Sequence, residues 1–258
     1  MGFIITAACY CHIGKVRANN EDNFVFDGKC LEADNRGLKK PVVLRHNCDR
    51  QNLCVSVFDG MGGEAYGEEA SFAAAQEMKK ELRRLSDFVI PEKYFLTDCC
   101  SRMNDAVFTR AQELGTLYMG TTVAALLFTN REVYSCNLGD SKTFRLRNGE
   151  FLQLSKDHTD EDYLQAHSIT NRKPYLTQHL GIDPEEFQLE PHIAKGELQN
   201  CDQYLICSDG LTDMLSRLEI CNLMSEGKSA NDSAERLVNA ALKNGGKDNV
   251  TVIVIRVL

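Results

Sequence analysis

Acidic side chains at the ends of short apolar segments are the residues of this sequence best suited to chemistry. Asp59, Asp140 and Asp209 each come after an apolar run, and Asp59 and Asp209 are each followed by glycine. Strands that end at a shared edge can bring such carboxylates together. Carboxylate and carbonyl oxygens are the ligands that Mg²⁺ and Mn²⁺ prefer, whereas the Cys and His pairs typical of zinc sites are missing. The pattern predicts a hard-metal site, whose other acidic candidates are Glu21, Asp22 and Asp248.

The segment Asp59-Gly60-Met61-Gly62-Gly63 makes this interpretation more specific. Glycine permits a sharp turn and lets the Gly60 carbonyl approach a cation closely. A nucleotide-binding loop is an alternative, but the Lys-Ser/Thr pair of a P-loop does not follow, and GxGxxG does not occur. Each Asp-Gly pair is also compatible with an ordinary turn. Two strands that both end in Asp-Gly favour a shared function.

Length, composition and charge limit the other function classes. The chain has 258 residues, of which 43% are hydrophobic, and one compact domain is predicted over residues 1–258. A formal net charge of -8 and the lack of a basic tract argue against nucleic-acid binding. No stretch reaches the length of a membrane span, and the N-terminus does not resemble a signal peptide. We therefore expect a soluble, cytoplasmic monomer whose partners are proteins or small molecules.

The 11 cysteines are scattered without CxxC spacing. Many lie inside apolar segments, as Cys54 and Cys207 do, where a reduced thiol acts as a small hydrophobic side chain. This usage is typical of a reducing cytoplasm. Cys9 and Cys11 leave a soft-metal site open as an alternative, although a strand with alternating faces explains their spacing more simply.

Apolar periodicity predicts the elements that position the acidic residues. Stripes at helical spacing predict helices around residues 70–85 and 96–114, and a second pair of helices after Asp209. Asn148-Gly149 predicts a hairpin. Residues 155–189 lack periodicity and are predicted to form a surface flap. Strands are predicted at 3–10, 23–26, 53–58, 123–128, 133–138, 143–147, 151–154, 204–207 and 250–257.

The order of these elements is strands, two helices, strands, two helices and a final strand. Hairpin-linked strands with paired helices favour an antiparallel arrangement over parallel βαβ units. The predicted fold is therefore α+β, an antiparallel β-sandwich flanked by pairs of helices in α-β-β-α layers.

Six short motifs follow one another along the chain: Arg17-Ala18-Asn19-Asn20-Glu21-Asp22, Asp59-Gly60-Met61-Gly62-Gly63, Gly120-Thr121-Thr122, Gly139-Asp140-Ser141, Ser208-Asp209-Gly210-Leu211 and Gly246-Lys247-Asp248-Asn249. Their order and approximate spacing resemble those of the metal-dependent protein serine/threonine phosphatases of the PPM type, also called the PP2C family. The similarity extends from about residue 5 to about residue 256. Met61 stands where animal members usually carry His, and in this respect the sequence is similar to the bacterial branch.

The resemblance implies a centre of two Mn²⁺ or Mg²⁺ ions with a possible third. Asp59 would bridge both ions, and Gly60 would offer its carbonyl to one of them. Asp209 and Asp248 would bind the other. Two further roles are implied: Glu21 and Asp22 would act mainly through water, and Asp140 would join Asp209 at the third ion.

The implied reaction is hydrolysis of phosphoserine and phosphothreonine in proteins, substrates of a serine/threonine kinase, by a water or hydroxide that bridges the two ions. Arg17 is the candidate clamp for the phosphoryl group, because a guanidinium can hold two oxygens at once. Its alternative is a solvated loop arginine. His158 is the candidate proton donor to the leaving oxygen, and its alternative is a surface residue hydrogen-bonded to Asp157.

The sequence departs from the family at positions expected to recognise substrate. Lys142 follows Asp140-Ser141 in place of the usual arginine, Gln178 replaces a second arginine, and the flap is short. The polar link from Gly28 to Asn52 is an extended hairpin or a partner-binding edge. Two alternatives remain open: a regulatory protein that binds phosphoproteins without turnover, and a small-molecule phosphohydrolase. The first would predict loss of a metal carboxylate, and all are present.

Phosphatase activity is predicted to survive alkylation of the accessible thiols, because the implied nucleophile is water and the cysteines are assigned to packing. The measurement is turnover of a phosphopeptide with Mn²⁺ before and after iodoacetamide treatment of the folded protein. Loss of activity in proportion to alkylation of one cysteine would indicate covalent thiol chemistry instead.

Overall fold

The computed structural model describes residues 3–61, 66–85, 90–116 and 118–258. Gly62 and Gly63 of the glycine-rich segment lie outside these ranges. In chain order, the elements are β1 (Ile4–His12), β2 (Asp22–Val25), β3 (Val42–Asn47), β4 (Leu53–Met61), α1 (Gly67–Leu85), α2 (Glu92–Leu114), β5 (Gly120–Thr121), β6 (Val123–Phe128), β7 (Glu132–Leu138), β8 (Lys142–Arg147), β9 (Glu150–Gln153), α3 (Glu161–Ala166), β10 (His192–Glu197), β11 (Gln203–Cys207), α4 (Asp209–Thr212), α5 (Arg217–Glu226), α6 (Ala230–Lys243) and β12 (Val250–Val257).

Within the described ranges the strands form two antiparallel sheets. The first has the order β3-β1-β12-β11-β8-β9, and the second has the order β10-β7-β6-β4-β2, with β5 beside β4. Helices α1 and α2 cover the second sheet, while α5 and α6 lie on the side of the first. The predicted α-β-β-α layering is confirmed.

Strand β12 shows how the sequence encodes these layers. Its odd-numbered residues, such as Ile253 and Ile255, pack between the two sheets, whereas Val252 and Val254 pack against the helices over the first sheet. Successive side chains of a strand point to opposite faces. A strand covered on both faces is therefore mainly apolar, as this segment is, with Thr251 and Arg256 as its polar residues.

The first helix pair is antiparallel, as the sequence predicts. Arg110 Nε, in the last third of α2, lies 3.1 Å from Glu69 Oε2 at the start of α1. Arg102 Nε, earlier in α2, lies 3.5 Å from Glu81 Oε2 late in α1. Apolar residues such as Met78 and Met103 fill the space between these helices and the second sheet. This packing holds α1 directly behind β4, the strand that carries Asp59.

Several elements were not predicted. The link from Gly28 to Asn52 contains β3, which pairs with β1 as an edge strand and leaves Val43 63% exposed. In β10 the apolar pattern is broken by Lys195 and Gly196. Neither β3 nor β10 therefore shows a clear buried face in its sequence. The flap contains the six-residue helix α3. The single-turn helix α4 precedes the two helices expected after Asp209.

The cysteines follow the predicted pattern of buried thiols. Of the 11, all of them in described ranges, only Cys201 is exposed, while Cys30 and Cys221 are partly buried. Cys9 and Cys11 lie on one face of β1 in the core between the sheets, which supports packing rather than soft-metal binding. Burial raises the pKa of Cys54, for example, to about 12, which disfavours the reactive thiolate.

None of the described helices combines the length and the apolar character needed to cross a bilayer.

Candidate metal centre

The register of β2 and β4 places two carboxylates face to face. Asp22 and Asp59 are directly paired residues of these antiparallel strands. Like charges at paired positions of a sheet destabilise it, because the side chains lie close together. The pKa of Asp59 is raised well above its usual value by burial and, in order, by the charges of Asp209, Asp22, Asp140 and Asp248. This series identifies the members of one acidic cluster.

Asp22 is held at the base of the cluster by two hydroxyl groups. Ser208 Oγ and Thr251 Oγ1 each donate to Asp22 Oδ2 at 2.7 Å. The other oxygen, Oδ1, is buried without a hydrogen-bond partner. Burial, opposed by these two hydrogen bonds, raises the pKa of Asp22 to about 7. A buried carboxylate oxygen with no donor is an arrangement that a cation, or a water bound to one, would satisfy.

Asp209 and Asp248 are brought together by close backbone packing. Asp209 begins α4 directly after β11, and the Gly210 that follows packs on the Asn249 backbone. A Cβ at Gly210 would lie 1.9 Å from the Asn249 carbonyl oxygen, so no other residue fits this contact. Burial, with the charges of Asp140, Asp213 and Asp248, raises the pKa of Asp209 to about 7.

Gly60 supplies the second close contact of the centre. Its N–H donates to the Glu21 carbonyl at 3.1 Å, and a Cβ on Gly60 would lie 2.0 Å from the Gly67 carbonyl oxygen. The glycine therefore lets β4, α1 and the loop before β2 meet. The side chain of Glu21 lies at the same junction, and burial raises its pKa.

Asp140 is partly buried in the turn between β7 and β8. Burial raises its pKa, and Lys142 opposes the shift. Ser141 Oγ lies 2.7 Å from Thr122 Oγ1, which accepts a hydrogen bond from the Asp59 N–H at 3.0 Å. The Asp140 turn is thereby fastened to the backbone of Asp59.

Arg17 is a basic side chain that reaches the cluster from the loop before β2. Its NH2 group donates to Asp248 Oδ2 at 2.6 Å, although the side chain stays 49% exposed. This hydrogen bond is the main cause of the raised Arg17 pKa, with smaller effects from Glu21 and Asp59. The structure thus brings Arg17 to the acidic cluster, in contrast to a freely solvated loop arginine.

His158 lies at the base of the flap, next to Asp140. Its ring Nδ1 accepts a hydrogen bond from the Gly139 N–H at 3.2 Å, and the backbone N–H of His158 donates to the Gly139 carbonyl at 3.0 Å. The hydrogen bond to Asp157 that the sequence left open is replaced by these contacts with Gly139. Burial lowers the pKa of His158. A neutral ring with its proton on Nε2 is the form that fits.

Sequence reasoning missed the side chains that hold the cluster together. Asn249 Nδ2 donates to the carbonyls of Ile13 and Asn19, and its Oδ1 accepts from the Glu21 N–H at 2.8 Å. These bonds join the two ends of the chain. Asn249, Ser208 and Thr122 all lie inside the quoted motifs. For Asn249 and Ser208, the available signal was a polar residue next to an aspartate.

The oxygen donors of the site are better suited to binding divalent cations than to standing side by side without them. Within the described ranges, no three His, Cys, Asp or Glu side chains are already drawn together as a ligand set for one ion. Carboxylates without a cation repel one another. The fit is instead indicated by the orphaned Asp22 oxygen and by the raised pKa values of Asp22, Asp59 and Asp209.

Comparison with known proteins defines the class. Residues 44–250 match the family model described as Protein phosphatase 2C, so the chain belongs to the protein phosphatase 2C family. Serine/threonine protein phosphatase PstP of Mycobacterium tuberculosis is 34% identical over 95% of this chain. This chain spans only 43% of that relative's length. Serine/threonine phosphatase stp of Listeria welshimeri is 29% identical over 94% of this chain and 92% of its own.

A solved structure extends the comparison to the site. The catalytic domain of serine/threonine protein phosphatase PstP, in complex with two manganese ions, superposes with a TM-score of 0.75 and 29% identity over 99% of both chains. The resemblance to bacterial members of the family and the predicted β-sandwich are confirmed.

We expect Asp209→Asn to stabilise the metal-free protein. An acid whose pKa rises on folding destabilises the folded state once the pH exceeds its unfolded value, so the free energy of unfolding falls as pH rises from about 4 to about 7. Removing the charge should add on the order of 1–2 kcal/mol at pH 8, allowing for solvent screening. Urea unfolding in EDTA at pH 5 and pH 8 measures the effect.

The control is Asp105→Asn, an exposed carboxylate on α2 outside the cluster. A gain for Asp209→Asn that is no larger at pH 8 than at pH 5, or that Asp105→Asn reproduces, would contradict the proposed repulsion.

Proposed function

We propose that this chain is a metal-dependent protein serine/threonine phosphatase that hydrolyses phosphoserine and phosphothreonine in proteins. The observation that carries the proposal is the pairing of Asp22 with Asp59, close enough to Asp209 and Asp248 for their charges to interact, together with the Asp22 oxygen that has no hydrogen-bond partner. The names of the bacterial relatives and the two manganese ions of the PstP catalytic domain support it. We further propose that residues 1–258 act as one domain, in the cytoplasm and as a monomer.

The proposed ligands are the acidic residues of the cluster. Asp59 would lie between two Mn²⁺ or Mg²⁺ ions, Gly60 would contribute its carbonyl to one, and Asp209 and Asp248 would hold the other. Glu21 and Asp22 would act through water. Asp140 and Asp209 would hold a possible third ion. Bound ions of this kind activate water and offset charge on the phosphoryl oxygens.

Arg17 is the proposed clamp for the phosphoryl group. Its guanidinium already hydrogen-bonds a carboxylate, Asp248, and is still half exposed. A phosphoryl group presents oxygens to a guanidinium in the same way as a carboxylate. A cation held by Asp248 would compete with this hydrogen bond and would leave the Arg17 guanidinium for the substrate.

His158 is the proposed proton donor to the leaving oxygen. The hydrogen bond from Gly139 to Nδ1 leaves the Nε2 proton available for donation. Its lowered pKa favours the neutral ring, which would donate the Nε2 proton to the leaving oxygen and take a proton back from water. The same contacts also position the turn that carries Asp140.

Turnover should require Mn²⁺ or Mg²⁺, disappear with EDTA, and be lost by at least about 100-fold in Asp209→Asn, because removing an anionic ligand weakens the ion that activates water. The measurement is phosphate release from a phosphothreonine peptide as Mn²⁺ is titrated. Circular dichroism controls for folding, and Asp105→Asn is the matched variant. Activity of Asp209→Asn equal to the wild type at low Mn²⁺ would exclude this ligand assignment.

Arg17→Ala should mainly raise KM for a phosphopeptide and so lower kcat/KM. The loss of transition-state stabilisation should be roughly 1.5–3 kcal/mol, the range for hydrogen bonds to charged groups. Arg17→Lys should recover only part of the loss, because an ammonium keeps the charge without the planar fork. Steady-state kinetics of both variants, with Mn²⁺ affinity measured separately by calorimetry, makes the comparison. Unchanged KM and kcat in Arg17→Ala would show that the phosphoryl group is held elsewhere.

A further inference from the structure

A groove of about 960 Å³ opens beside the candidate metal centre, between the C-terminal half of α2 and the second half of the flap. Its lining is mainly apolar and aromatic. The side chains that matter most are Met61, Phe108, Tyr118, Tyr175, Ile182 and Phe187.

Three aromatic side chains of the groove face solvent. Tyr118 is 82% exposed, Tyr175 is 65% exposed and Phe187 is 60% exposed. Single exposed apolar residues are ordinary on protein surfaces, but a group of them around one concave surface is typical of an interaction site.

The flap side of the groove is held in place by buried polar contacts. Asn104 on α2 is 2% exposed; its Oδ1 accepts from the N–H groups of Gly181 and Ile182, and its Nδ2 donates to the Ile182 carbonyl. Tyr175 receives the Arg172 guanidinium 4.0 Å from its ring centroid. Because these walls are already positioned, a ligand loses less free energy in ordering them.

The groove is continuous with the metal centre through the backbone. Met61, in its lining, follows Gly60 and pairs with Gly120 of β5. The next residue, Thr121, donates its hydroxyl to the Asp59 carbonyl at 3.0 Å and exchanges two backbone hydrogen bonds with Leu180 of the flap. A peptide bound at the centre would therefore extend into the groove within a few residues.

The charges of the groove define its occupant. Asp183 and Glu186 contribute to the lining, while its described residues include no lysine or arginine. The Arg172 guanidinium that stacks on Tyr175 is paired with Asp160. Burial also lowers the pKa of His179, the remaining basic group. The groove is thus unsuited to a phosphoryl group and suited to an apolar side chain with basic residues nearby.

We propose that this groove selects phosphoprotein segments with a large apolar or aromatic side chain within about three residues of the phosphorylated residue, a span of roughly 10 Å. This inference rests on the proposed phosphatase function and adds its substrate class. Tyr118, Tyr175 and Phe187 act as specificity residues, and Asn104 is a positioning residue for the flap wall.

The test uses phosphothreonine peptides in which a single Phe is moved through three positions on either side of the phosphorylated residue, with an all-Gly peptide as reference. One position should raise kcat/KM by about tenfold or more. Tyr118→Ala and Phe187→Ala should remove that preference while hydrolysis of p-nitrophenyl phosphate stays unchanged. Tyr94→Ala, a 72% exposed tyrosine at the far end of α2, is the matched control and should keep the preference.

A wild-type enzyme without preference, or variants that keep it, would overturn the groove assignment. A dimeric wild type that Tyr118→Ala converts to a monomer in sedimentation would assign the groove to a second copy and would also overturn it.

A binding measurement separates this proposal from the proposed function. Fluorescence anisotropy compares Phe and Gly phosphopeptides on Asp209→Asn protein and on the same protein carrying Tyr118→Ala. Selective binding that Tyr118→Ala abolishes supports the groove even if the wild type hydrolyses nothing, a result that would reject only the phosphatase activity. Turnover of p-nitrophenyl phosphate with equal binding of both peptides would reject only the groove.

Discussion

Carboxylates at one end of the sandwich repel one another, and the rest of the structure must hold them in place against this repulsion. Asp22 and Asp59 are paired across adjacent strands, and Asp209 begins the helix that follows β11 of the other sheet. Each has a raised pKa, because burial removes the solvent that would stabilise its charge and its neighbours have the same sign. These carboxylates therefore lower the stability of the metal-free protein, and bound divalent cations would relieve their repulsion. Such a destabilising cluster is expected where a site serves function rather than folding.

The surrounding scaffold holds these groups against their repulsion. Asn249 joins the loop before β2 to the turn before β12, two segments more than 200 residues apart. Ser208 and Thr251 fix Asp22, and Thr122 fixes the backbone of Asp59. Strands covered by helices on their outer faces and by each other on their inner faces supply the rigidity. A site held in this way keeps its geometry at little reorganisation cost when a substrate binds.

The flap is anchored at two places, which connect it to the sandwich beside the metal centre. At its base, His158 exchanges hydrogen bonds with Gly139 next to Asp140. Farther along, Asn104 and Thr121 hold residues 180–182. Lys142, which replaces the family's arginine, forms an ion pair with Asp157 at the same base. This departure from the family thus lies where the flap meets the sandwich, and the carboxylates of the centre are unaffected.

The sequence alone determined the layers and the acidic site candidates, because both leave local patterns. Strand β12 is almost wholly apolar since both its faces are buried, and Asp59 and Asp209 stand out at strand ends beside glycine. The edge strands β3 and β10 left no such pattern, because exposed faces place little demand on residue type. Only the tertiary structure decided the face-to-face pairing of Asp22 with Asp59, the reach of Arg17 to Asp248 and the role of Asn249. These contacts join residues far apart in the chain, and their geometry is fixed by sheet register and packing, which no local pattern records.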